Sequence, residues 1–424
     1  MTKAKPGLWI RGACAVLAAC MATPAQAGAV FSVAPWPLPA TNVPSAQPDL
    51  VAATDGSWLL AWTEKRDDGS QALRVARSRK DAAGWGVPRT IAAGKDWFVN
   101  WADTPHVVAL GDGSLWAHWL RRNGAGIHDY GIALVRSHDD GATWSTPIRI
   151  EPDGARNDYG FVSMWPQSRD TLGIAWLDSR QKPAAPADAH AGHAHADHGS
   201  GRMMLRAATF ATNGRRTIEW PLDASTCDCC TTAVAQTARG PVVVYRGRSD
   251  GEIRDTRLVR LENDAWTPPR DVHRDGWKFA GCPVNGPAVA ARGDEVWVAW
   301  YTEADGKPSL RLARSSDAGD RFGKPLHVAE GEGVLGRVAL ALDGGKVWLA
   351  WLGERDGGRD GQHLWLARID AHAGTIESKQ VVADLAVRGR ASGLPRLGVR
   401  DGEAFLVVTD LDNGRARLRG LRAR

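Results

Sequence analysis

The sequence predicts an all-β protein: a seven-bladed β-propeller of four-stranded blades whose last blade is closed by the N-terminal strand, with a six-bladed ring as the alternative. Three observations lead there. A strand ending in an aromatic or apolar cluster recurs seven times, each copy followed by a second apolar strand. The composition, with 20 Trp, 47 Gly and 23 Pro in 424 residues, suits short strands joined by many tight turns. The two ends of the chain are each incomplete in a way that the other end completes.

Residues 1–27 come first. Lys3, Lys5 and Arg11 precede or flank an apolar run over 13–21, and Ala25-Gln26-Ala27 forms a small-residue cleavage site, so the segment reads as a secretory signal. The mature chain, 28–424, is expected to be a single propeller domain in the periplasm or secreted. Leu17-Ala18-Ala19-Cys20 offers a second reading, a lipoprotein anchored through Cys20. No later segment approaches the roughly 20 apolar residues that span a bilayer, so no transmembrane segment is expected in the mature chain. A formal charge of +5 without any Lys/Arg block gives no footprint for nucleic acid.

The repeat follows in order. The aromatic strands are WLLAW at 58–62, LWAHW at 115–119, LGIAW at 172–176, VVVY at 242–245, VWVAW at 296–300, VWLAW at 347–351 and AFLVV at 404–408. After each comes a polar turn and a strand beginning near Leu73, Ile132, Met204, Thr256, Leu310, Leu364 or Ala416. A further strand is expected where an aromatic precedes Pro, at 85–88, 144–147 and 266–268, and a shorter strand precedes each aromatic one. The spacing is roughly 50 to 60 residues, of the kind that marks propeller blades. The seventh copy stops at Arg424 without its outermost strand, and VFSVAPWPL at 30–38 is an unpaired match for it. Pairing the two closes the ring and hides two sheet edges. The arginines at 415, 417, 419, 422 and 424 then read as the solvent face of a strand.

Between third and fourth strands of the second blade lies Ser137-His138-Asp139-Asp140-Gly141-Ala142-Thr143-Trp144, with a variant from Ser315 through Asp317 and Gly319 to Phe322 in the fifth and a weaker one at 78–85 in the first. Such a segment is a turn device, in which the Asp carboxylate accepts backbone N–H groups, Gly permits positive φ and the aromatic packs between sheets. With the strand pattern, these segments resemble the Asp-box (BNR-repeat) propellers of the sialidase-like superfamily over essentially the whole mature chain. The resemblance implies the fold more than the activity. Members that cleave sialosides use three Arg on the substrate carboxylate, a Tyr nucleophile paired with Glu, and an Asp acid/base. Carried over, these roles point to Arg337, Arg396, Tyr301, Glu303 and Asp103. The chain departs from the pattern at the first blade, where Gln47-Pro48-Asp49-Leu50 replaces the expected Arg motif, and Tyr301 falls on the fifth blade instead of the last.

Loops entering each blade share a face with those joining second and third strands, opposite the Asp-boxes. On that face lie Cys227, Cys229 and Cys230, before the fourth blade, and Cys282, before the fifth; they are the only cysteines after the signal. In an exported protein they read as disulfides, one long bridge to Cys282 leaving a close or vicinal pair, or else as a thiolate site for copper or zinc. An insertion at 182–201 in the third blade carries His190, His193, His195 and His198. It reads as a copper- or zinc-binding tract or as a plain surface loop, and metal captured there is a candidate for transfer to the cysteines. The loops at 97–103, 156–159 and 273–278 add aromatics suited to sugar stacking or to packing over the channel mouth. The function expected is a binding module for a glycan or soft metal at the channel mouth. The alternatives are a sialidase-like glycoside hydrolase (an exo-sialidase) and a scaffold for a periplasmic protein partner.

Overall fold

The structure, a computed structural model, describes residues 1–2, 30–126, 128–155, 157–182 and 201–424. Residues 3–29, which include Cys20 and most of the signal expected at 1–27, lie outside the described residues, as do His190, His193, His195 and His198.

Seven antiparallel sheets make the ring. Their inner strands are Ser45–Ala52, His106–Ala109, Tyr159–Pro166, Ala233–Thr237, Ala288–Arg292, Val334–Asp343 and Arg396–Arg400. In each, the aromatic-ending segment is the second strand, and the segment after its turn is the third.

Alternation along the second strands explains why the sheets stack. Successive side chains point to opposite faces, so every second strand serves two interfaces. Leu59 and Ala61 pack toward blade two, against Val107, Leu115, Ala117 and Trp119. Trp58, Leu60 and Trp62 point the other way and meet Phe405 and Val407 of blade seven. The same division recurs at Trp116 with Ile174 and Trp176, at Leu177 with Val243 and Tyr245, at Val244 with Val298 and Trp300, at Trp297 with Leu349 and Trp351, and at Trp348 with Leu406 and Val408. There is thus an apolar cluster at every seam between consecutive blades. A buried Trp carries a polar N–H that needs an acceptor; Trp62 and Trp176 find one two residues on, at Glu64 (3.0 Å) and Asp178 (2.9 Å).

The ring closes as the sequence predicts. Val33–Pro35 pairs antiparallel with Arg415–Ala423, with Val33 opposite Ala423 and Pro35 opposite Leu421, and forms the outermost strand of blade seven. The arginines of Arg415–Ala423 are partly engaged: Arg417 donates to the carbonyl of Val43, and Arg419 pairs with Asp410 at 3.2 Å.

One strand assignment shifts. The aromatic–Pro segments at 85–88 and 144–147 lead into the outer strands instead of forming them, and of the one at 266–268 only Trp266 is in a strand. Trp85 makes only a single bridge, to Ser78, and the strand begins at Arg89. In blade four the outer strand splits into Ala265–Trp266 and Arg270–Asp271, both paired with Thr256–Glu262. Proline has no N–H to give to a ladder, so Pro88, Pro147, Pro268 and Pro269 keep these stretches out of the sheet.

The turn at 137–144 is tied by its own side chains. Ser137 Oγ donates to Asp139 Oδ1 (2.7 Å) and accepts from Gly141 N (2.8 Å), and Asp139 Oδ1 accepts from Thr143 N (2.8 Å). Gly141 takes φ +84°, where a side chain would be strained. Hydrogen bonds from Thr143, side chain first, hold the Asp139 carboxyl well below its usual range. Ser315, Asp317 and Gly319 repeat the pattern in blade five, with Arg321 N in place of Thr143 N and Phe322 packing at the seam between blades four and five.

Candidate functional site

The inner strands of all seven blades line one cavity of about 300 Å³, with Asp49, His106, Thr232, Asn285, Arg337 and Arg396 among its polar walls. Three of these strands are broken by a bulge near the mouth, between Ala46 and Asp49, Gly160 and Ser163, and Gly336 and Ala339. The bulged residues Gln47, Phe161 and Arg337 take φ of +53°, +51° and +55°. A left-handed backbone at a bulky residue persists only when its surroundings hold it there. Here they do: Phe161 N donates to Asp103 Oδ1 of blade two (2.7 Å), and Arg337 N to Asn285 Oδ1 ahead of blade five (2.8 Å).

These contacts belong to a polar circuit that runs from blade to blade around the mouth. Asp49 accepts from Val107 N (2.9 Å) and lies 3.0 Å from His106 Nδ1. Burial opposes its charge, but His106 and Arg396 outweigh that and hold its pKa at about 2. Thr232 Oγ1 donates to Phe161 O (2.8 Å) and sits 2.7 Å from Ser163 Oγ. Arg246 donates to Asn285 O (2.7 Å) and Tyr301 O (2.8 Å). Arg337 donates to Gly389 O (2.8 Å) and Ser392 Oγ (2.5 Å), and Arg396 to Pro48 O (2.9 Å) and Thr104 Oγ1 (2.8 Å).

The residues suggested by the sialidase resemblance are therefore split. Arg337 and Arg396 line the cavity, yet both spend donors on main-chain carbonyls of the next blade. Burial, then the neighbouring Arg390, lowers Arg337 to about 10, and its guanidinium stacks 4.5 Å from the Trp101 ring. Asp103, Tyr301 and Glu303 are not among the cavity's lining residues. Burial pushes Asp103 up to about 8. Tyr301 Oη donates to Glu303 Oε1 at 2.5 Å, and burial followed by this bond raises the phenol, the opposite of what activates a nucleophile. The loop aromatics mostly pack on blade aromatics: Trp97 stacks on Trp119 (5.4 Å), Phe98 stacks on Tyr130 (3.9 Å) and Trp277 meets Tyr301 edge-on (5.8 Å). Arg156 lies outside the described residues.

The cysteines do come together. The segment linking strand Arg216–Thr226 of blade three to Ala233–Thr237 of blade four makes a tight turn, anchored where Cys227 N donates to Arg246 O (2.9 Å). That turn places Cys227 Sγ 3.1 Å from Cys230 Sγ and 3.8 Å from Cys229 Sγ. All three ligand atoms lie within 4.8 Å of one another. Cys227 and Cys230 are 1% and 2% exposed, Cys229 is half-buried, and Cys282 is exposed. The expected long bridge to Cys282 is not formed. No two of the four sulfurs stand at disulfide distance: the tight turn brings Cys227 to Cys230 within one segment, and the Cys229 thiol hydrogen-bonds Cys282.

Positive charge surrounds this cluster. Lys182 Nζ lies 2.7 Å from Asp228 Oδ2, Arg248 Nη1 3.5 Å from Asp228 Oδ1, and the buried Arg254 is close enough to act on Cys227. Burial works against a thiolate at Cys227, but hydrogen bonds from Cys229 and Cys230 and the charge of Arg254 prevail and hold it well below the usual thiol range. Cys230 is pushed up by burial and then by Cys227, and Cys229 by its contacts with Cys227, Cys230 and Cys282. Lys182 also opens the insertion at 182–201, so that insertion starts beside the cysteines. The basic neighbours and the latch residues Asp49, Asn285 and Thr232 were not singled out from sequence. Asp49 follows Pro48 inside an inner strand and Asn285 falls in a Pro-containing lead-in to one, a Pro signal that would have found both.

Solved structures similar in fold include the BP39L lectin from Burkholderia pseudomallei, with a TM-score of 0.59 and 13% identity over 89% of this chain and 98% of that one. A protein of unknown function from Dyadobacter fermentans gives 0.51 and 14% over 94% and 98%. The fold they share with this chain is the β-propeller. The Hadza microbial sialidase Hz136 also matches, at 19% identity over 73% of this chain and 63% of that one, but its TM-score of 0.44 carries no weight for activity. No family model and no curated protein matches the chain. Among the described residues no helix is long and apolar enough to cross a membrane.

Proposed function

We propose that the protein is an exported propeller that binds a thiophilic metal ion, copper(I), through Cys227, Cys229 and Cys230 at the channel mouth. The observation that carries this is the gathering of three sulfur atoms within 4.8 Å in a mostly buried turn. Thiolates select soft ions such as Cu(I) and also bind zinc, but structural zinc sites take four ligands. Three sulfurs with Cys282 held outside the group favour Cu(I). Lys182, Arg248 and Arg254 offset the negative charge that several thiolates on one monovalent ion would leave in a buried place. Asp228 is committed to Lys182 and Arg248, which keeps its hard oxygen donors away from the ion.

The test is a competition of the reduced mature protein against a chromophoric Cu(I) chelator under anaerobic conditions, with zinc as the rival ion. One tightly held Cu(I) per chain, lost in Cys227→Ser and Cys230→Ser, is the expected result. A reduced protein that gives up all copper to the chelator overturns the reading.

A second reading, glycan binding or sialoside cleavage at the channel, has the polar cavity for support. The commitment of Arg337 and Arg396 to main-chain carbonyls weighs against it. Turnover of a fluorogenic sialoside that disappears in Arg337→Lys or Arg396→Lys would put the hydrolase first.

A further inference from the structure

We propose that Cys227 and Cys230 are a redox-active dithiol that closes to an intramolecular disulfide, and that closure withdraws two of the three sulfur donors from the metal site. The second half rests on the copper reading; the first does not.

Cys227-Asp228-Cys229-Cys230 has the Cys-x-x-Cys spacing, and the turn sets the two sulfurs 3.1 Å apart. A disulfide needs about 2 Å between sulfurs, so closure brings the two sulfurs about 1 Å nearer. Both sulfurs are buried, out of reach of a bulky oxidant. Access is provided by the other two cysteines. Cys282 is exposed, the Cys229 thiol hydrogen-bonds it, and Cys229 Sγ lies 3.8 Å from Cys227 Sγ. The four sulfurs form a chain from solvent to the buried pair.

The oxidant is a low-molecular-weight disulfide. The Cys282 thiolate attacks one of its sulfurs, forms a mixed disulfide and expels the first thiol. Cys229 attacks the Cys282 sulfur and expels the second, leaving a Cys229–Cys282 bond. Cys227 then attacks Cys229 and frees Cys282, and Cys230 attacks Cys227 and frees Cys229. Every step is thiol–disulfide exchange. In sum the Cys227 and Cys230 thiols lose two electrons and two protons, and the small disulfide gains both as two thiols.

The experiment equilibrates the metal-free mature chain in glutathione buffers of graded ratio, alkylates free thiols and maps the peptides by mass spectrometry. At the oxidised end, Cys227 and Cys230 are expected to be linked, with Cys229 and Cys282 alkylated. Cys282→Ser should slow closure at least tenfold with the same end point, and the oxidised chain should take up no Cu(I). Cys227 and Cys230 both alkylated at the oxidised end, or either one linked to Cys282, overturns the dithiol, and an unchanged rate in Cys282→Ser overturns the relay. Closure in a chain whose reduced form binds no Cu(I) sinks the copper reading and leaves the dithiol standing; Cu(I) binding without closure does the reverse.

Discussion

Arg396 of the last blade donates from Nε to the carbonyl of Pro48 in the first at 2.9 Å, joining residues 348 positions apart in the chain. The same guanidinium lies 3.7 Å from Asp49, whose buried carboxylate also faces His106. Arg396→Ala removes the latch and leaves Asp49 with one cationic neighbour fewer. Losing a partner of a buried charge costs about 3 kcal/mol, and denaturant unfolding should show a loss of that order. Arg396→Lys keeps the charge without the planar fork and should fall between. An unchanged midpoint in Arg396→Ala would mean that the seam is held by its apolar cluster alone.

The covalently distant ends also meet through Trp36, which is 2% exposed, lies 4.9 Å from Phe405 and donates Nε1 to Ala82 O at 3.1 Å. Trp36→Ala should cost about 3 to 5 kcal/mol, the range for emptying a buried aromatic site. Deleting residues 30–38 also bares the edge of Arg415–Ala423, and an open edge is a template for pairing. Concentration-dependent association in sedimentation should appear for the deletion and be absent for the full ring.

This seam between the last and first blades shows what was legible in the sequence. Trp58, Leu60 and Trp62 against Leu59 and Ala61 is a period-two pattern, which any stretch of chain displays without knowledge of its partners. The match between residues 30–38 and a missing last strand was legible for the same reason. The latches were not. Asp103 meets Phe161 N 58 residues away and Asn285 meets Arg337 N 52 residues away, distances set by the rotation from blade to blade, which no local pattern encodes. The cysteines fall between: their gathering follows from strand order, but whether Cys227 would turn to Cys230 or reach for Cys282 depended on the path of one tight turn.

Asp103 should make stability fall as pH rises. Its Oδ1 accepts from Phe161 N, its Oδ2 is buried without a hydrogen-bond partner, and burial raises its pKa from 3.8 to about 8. The folded state therefore keeps the proton where the unfolded chain has lost it. Below about pH 4 both states are protonated and the group is neutral in its effect; between about 4 and 8 each unit of pH weakens folding by up to tenfold, and above 8 the loss levels off. Asp103→Asn still accepts from Phe161 and never ionises. Its stability relative to the parent should rise steadily between about pH 5 and about pH 8 in denaturant titrations; a constant difference across that window would show that Asp103 ionises normally in the fold.

Asp228 sits inside the cysteine turn, yet its carboxylate is held by Lys182 at 2.7 Å and Arg248 at 3.5 Å. On the copper reading it is therefore expected to position the turn and to stay out of the donor set. Asp228→Asn loosens that hold without touching a sulfur, so the reduced protein should still bind one Cu(I), with affinity down about tenfold, the scale of losing a group that orients metal ligands. Lys182→Met breaks the same pair from the other side and should reproduce the change in chelator competition. Lost stoichiometry in Asp228→Asn together with unaltered binding in Lys182→Met would place the carboxylate on the metal. Matching losses of affinity at full stoichiometry identify the ion pair as the brace that keeps Cys227, Cys229 and Cys230 facing one another.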